Sequence, residues 1–67
     1  MADMAALEAK IEASGLKRAF VAEQLGVSGQ TLRSKLQGSF EFKASEIKTL
    51  TDLLRLTKTE MEHIFFG

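Results

Sequence analysis

Four polar side chains, Gln30, Arg33, Ser34 and Gln37, recur at helical spacing in the stretch 28–38, Ser-Gly-Gln-Thr-Leu-Arg-Ser-Lys-Leu-Gln-Gly. On a helix these residues share one side, and Leu32 and Leu36 share the opposite one. A glutamine carboxamide can hydrogen-bond the major-groove edge of adenine, and an arginine guanidinium can fork onto guanine. Such a helix can be seated in a small core on one side and laid against duplex DNA on the other. A solvated helix face has the same composition, so the face alone does not choose between the two.

The elements around this helix are legible from their caps and apolar periods. Asp3 is suited to cap a first helix, along which Met4, Leu7 and Ile11 recur until Gly15 closes it. Leu16 bridges to a second helix, which Lys17 starts without a hydroxyl or carboxylate cap. Its inward face is Val21, Ala22 and Leu25, and Gly26 ends it in a left-handed conformation. Phe20 points away from that face and is expected to pack back on the first helix. Ser28 caps the third helix, with Val27 and Leu32 spaced as a hydrophobic staple, and Gly38 ends it. Gly29 has no side chain, which would let a backbone approach closely there. Lys35 lies toward the core-side edge, so an extended stem with its charge at the surface or on a phosphate is expected.

After a loop in which Phe42 plugs the core, residues Ala44–Leu54 are expected to form a fourth helix with Ile47, Leu50, Leu53 and Leu54 as its apolar stripe. Thr57 and Glu60 form a capping box for a fifth, whose apolar face continues through Met61, Ile64 and Phe65. The fold class is therefore all-α: a compact bundle of about five short helices over 1–67, with a helix-turn-helix at 17–37.

Composition narrows the function classes. The chain has 67 residues, no Cys and no Pro, and a single His. There is no thiolate set for a metal, and His63 has no second histidine to complete a site, so no metal and no cofactor are expected. No nucleophile–base pair and no phosphate-cradling glycine loop stand out, so an enzyme is not expected. No apolar run reaches the roughly 18 residues of a membrane span, and 1–8 lacks the basic flank and apolar run of a signal peptide, so a cytoplasmic protein is expected. The formal net charge is zero, which counts against a nucleic-acid binder. Its distribution counts the other way. Residues 17–43 carry Lys17, Arg18, Arg33, Lys35 and Lys43 against Glu23 and Glu41, so the middle of the chain is basic while both flanks are acidic.

The run Val21-Ala22, Leu25-Gly26-Val27-Ser28 and Thr31-Leu32 resembles the core of the Cro/CI-type helix-turn-helix repressor family, and the likeness extends over nearly the whole chain. The segment 28–38, with Phe42 and Ser45-Glu46-Ile47, is similar to small regulators of phages and prophages. The resemblance implies a lambda-repressor-like DNA-binding domain. Ser28, Gly29, Gln30, Arg33 and Ser34 would then face the bases. Arg18, at a position where the family usually places a phosphate-holding glutamine, would contact the backbone with Lys17, Gln37 and Lys43. Two departures are Lys17 in place of a hydroxyl cap and Gly29 in place of a base-reading side chain. The family also implies a homodimer, at least on DNA, with Ile64, Phe65 and Phe66 at the two-fold contact, and neither a membrane nor a small-molecule substrate as partner. The expected function is sequence-specific transcriptional regulation on double-stranded DNA. The alternatives are a DNA-binding antitoxin and a protein-interaction module that keeps the fold without binding DNA.

Overall fold

A computed structural model describes residues 2–67, so the domain expected over 1–67 begins one residue outside the described part. It is all-α, with α1 Met4–Ser14, α2 Arg18–Leu25, α3 Gly29–Leu36, α4 Ala44–Leu54 and α5 Lys58–Phe66. No described residue is in a strand, and no helix is long and apolar enough to cross a membrane.

Each helix begins and ends for local reasons. The Asp3 carboxylate accepts the Ala6 N–H, Ser28 Oγ accepts the Thr31 N–H, and Thr57 and Glu60 close a reciprocal capping box. Lys17 places no side-chain cap on α2, as its residue type dictates. Gly26 sits at φ 72°. Its N–H bonds to the Glu23 carbonyl while the Val27 N–H reaches back to Ala22 at 3.0 Å, so the turn into α3 reuses the last free carbonyls of α2. The same pattern closes α3 at Gly38 and, with no glycine present, closes α4 at Arg55 (φ 53°).

The core is built from one or two apolar residues of every helix, Leu7 and Ile11, Val21 and Ala22, Leu32 and Leu36, Leu50, then Ile64 and Phe65, with Leu56 from the α4–α5 connection. Helix α3 packs on α1 and α2, and α5 closes against α1 and α4. The α1–α5 seam is polar at both ends. Lys10 pairs with Glu60. The Asp3 N–H donates to the Ile64 carbonyl at 2.6 Å, and His63 Nε2 lies 3.2 Å from the Asp3 carboxylate.

Three expectations need correction. Phe20 is not covered by the first helix: it stays 42% exposed, because the inward side of α2 is taken by Val21 and Ala22. Ile64 and Phe65 are core residues of the single chain, Phe65 reaching the wall of an open groove, and Phe66, 67% exposed, is the member of that trio left outside. Lys35 carries no surface charge: it is only 6% exposed, with its ammonium turned inward onto Glu46.

Candidate nucleic-acid interface

The outward side of α3 is where the sequence places it. Leu32 and Leu36 are buried while Gly29, Gln30, Arg33 and Gln37 are exposed and Ser34 is half-buried. Gly29, Gln30, Arg33, Ser34 and Gln37 line one shallow, open hollow. The neighbouring hydroxyl is already engaged. Ser28 Oγ accepts the Thr31 N–H at 3.1 Å and donates to Thr31 Oγ1 at 3.0 Å. A hydroxyl has one proton, and that of Ser28 is used inside the cap. Of the five residues expected at the bases, Ser28 therefore serves the start of the helix, and the other four share the hollow with Gln37.

Gly29 has no structural reason to be glycine. Its φ is not positive, and a Cβ built on it would meet nothing within 4 Å. Gly15, Gly26 and Gly38 differ, since each holds a left-handed conformation that other residues resist.

The cations around α3 are fewer in effect than in number. Arg18, at the first position of α2, holds Glu8 of α1 at 2.9 Å, with both side chains about half exposed. A guanidinium carries five N–H donors in a fork, so it can keep one edge on Glu8 and turn another to an anion. Lys17 and Lys43 are exposed residues flanking α2 and α4, and neither takes part in a salt bridge among the described residues. With Lys35 buried, the cations that α3 and its flanks offer to solvent are Lys17, Arg18, Arg33 and Lys43.

The residues that sequence reasoning missed lie beneath α3. Lys35 Nζ donates to Glu46 Oε1 at 2.6 Å and to the Glu41 carbonyl at 3.3 Å, and sits 5.5 Å from the centre of the Phe42 ring. The same Glu46 oxygen accepts the Lys43 N–H at 2.8 Å. Burial pushes the Glu46 carboxyl up, but the bonds from Lys35 and from the Lys43 N–H, with the charges of both lysines, outweigh it and hold the group below its ordinary 4.5. The only hint in the sequence is Glu46 at the third position of α4, where a carboxylate suits the helix start. Phe42 does plug the core edge, its ring meeting Phe65 edge-on at 5.8 Å and 77°.

A second concavity, an open groove of about 450 Å³, lies on the other side of the loop after α3. Met4, Ile47, Phe42 and Phe65 contribute to its lining, together with the exposed Phe40 and Phe66. No family model, curated protein or solved structure matches the chain.

Proposed function

We propose that this protein is a sequence-specific DNA-binding transcriptional regulator, of the kind of the small Cro-like repressors of phages and prophages, that reads the major groove with α3. The observation that carries the proposal is the division of α3: its apolar side is in the core, and its free side gathers a glutamine, an arginine, a serine and a bare glycine backbone into one open hollow. Gln30 and Arg33 are the base-reading residues, to adenine and guanine edges respectively. Gly29 admits the backbone close to the duplex. Arg18, Lys17, Gln37 and Lys43 hold phosphates and set the register.

Regulation would follow from occupancy. Two copies place their α3 helices in successive major grooves, with half-sites roughly 34 Å apart, and block polymerase at an overlapping promoter. Phe66 supplies the exposed apolar contact of the homodimer, with Phe40 on the same groove.

Selection from a random duplex pool tests the reading, with a Gln30→Ala/Arg33→Ala variant alongside. A roughly palindromic motif that the variant loses is the expected result. No enriched motif at low salt and high protein concentration would refute it, and would favour a protein-interaction module acting through the Phe40–Phe66 groove.

A further inference from the structure

The loop 37–43 leaves α3 and must return to start α4. Its first three residues are tied to α3 by backbone bonds, from Gln37 to Arg33, Gly38 to Lys35 and Ser39 to Ser34. Among the described residues, no backbone–backbone bond is made by the N–H groups of residues 40–43, and Phe40 and Glu41 are exposed. What fixes this half of the loop is the Phe42 ring and the Lys35–Glu46 pair, whose two charged groups each take one backbone group of the loop. Lys35 Nζ holds the Glu41 carbonyl, and Glu46 Oε1 holds the Lys43 N–H.

We propose that Lys35 and Glu46 are positioning residues for the DNA-reading surface: their buried ion pair locks residues 40–43 to α3, so that Lys43 is held in one register relative to Arg33 and Gln37. The inference rests on the DNA-binding reading for its function but not for its structural half. Its physical basis is the choice of residue types. Both side chains are only 8% exposed, and at such a site a well-packed apolar pair is commonly as stable as an ion pair, or more so. Apolar side chains would fill the space but offer no donor to the Glu41 carbonyl and no acceptor to the Lys43 N–H. The ion pair therefore supplies a defined loop geometry that mere core filling does not. It also spends one of the few cations of the basic middle segment inside the protein, where it is of no use as a phosphate contact.

The test uses the whole chain and a Lys35→Met/Glu46→Leu variant, with three measurements on each. Thermal melting reports the fold. Amide hydrogen exchange at residues 40–43 in the free protein reports the loop. The ratio of affinities for the selected site and a scrambled duplex reports reading. The expected result is a melting temperature at or above that of the parent, exchange at Lys43 at least tenfold faster, and a specificity ratio at least tenfold lower with scrambled-duplex affinity unchanged. Unchanged exchange at Lys43 would overturn the lock. A loosened loop with an undiminished specificity ratio would overturn its role in reading. If the parent selects no site, the DNA-binding reading itself fails, and exchange still decides whether the pair orders the loop. Should the double variant not fold, Glu46→Gln keeps an acceptor for the Lys43 N–H while removing the charge. The lock then predicts faster exchange at Lys43, because a neutral amide oxygen holds both the Lys43 N–H and the Lys35 ammonium less tightly than a carboxylate; exchange at Lys43 equal to that of the parent would overturn it.

Discussion

Gly29→Ala separates what the fold wants from what a DNA duplex wants. In the free protein the added methyl enters open space and the backbone is already in a conformation alanine adopts. Restricting the unfolded chain then stabilises the protein by about 0.4–1 kcal/mol. For a domain of this size that is a rise in melting temperature of roughly 2–8 °C. On DNA the same methyl lies at the first turn of α3, in the hollow where the backbone is proposed to approach the duplex. Forcing one carbon into a packed contact costs about 1–3 kcal/mol, a loss in affinity of roughly 5- to 150-fold. Thermal melting and fluorescence anisotropy on the selected site, at one fixed salt concentration, measure the two effects side by side. The expected pattern is opposite signs: a more stable protein that binds less well. A variant that is more stable and binds equally well would show that nothing approaches α3 at Gly29, and would remove the close-contact argument.

Three further outcomes are expected. Glu8→Gln releases Arg18 from an exposed pair of a kind worth about 0.2–1 kcal/mol, so affinity for any duplex should rise roughly 1.4- to 5-fold by titration, and Arg18→Ala should abolish the gain. Because the folded Glu46 carboxyl titrates below its ordinary 4.5, its contribution is present above that value and is lost as pH falls through the lower folded value. Urea melts at pH 7 and pH 3 should therefore show a smaller acid loss for Glu46→Gln than for the parent, with the remainder assigned in part to Glu60, which its bond from Lys10 also holds low. Arg55→Gly removes a left-handed non-glycine residue at the end of α4 and should stabilise by on the order of 1 kcal/mol, read as a higher urea midpoint at unchanged slope.

The parts of the molecule that depend on near neighbours were legible in the sequence. Asp3, Ser28 and the Thr57–Glu60 box act within three residues of themselves, and Gly15, Gly26 and Gly38 announce left-handed helix ends by residue type. The polar side of α3 was legible because it needs only helical spacing. What remained hidden depends on which helices meet. Lys35 and Glu46 are eleven residues apart, Lys10 and Glu60 fifty. No local pattern tells that a lysine on the edge of α3 finds its partner in α4 and turns inward. Arg55 closes α4 in a left-handed conformation that nothing about an arginine announces. Ile64 and Phe65 were legible by their spacing as part of the apolar face of α5, and both are buried in the core.

Asp3 fastens α1 to α5. It caps α1 through its side chain, donates its own N–H to the Ile64 carbonyl and faces His63. The segment from α1 to Gln37 contains every proposed base-reading residue, though not Lys43. It holds neither Leu50, Ile64 and Phe65 of the core nor the carbonyl that fastens Asp3. Asp3 is thus secured by a carbonyl far along the chain, in α5. The proposed reading face is therefore local in sequence, while the body that holds it is closed by contacts between α1 and the distant α5.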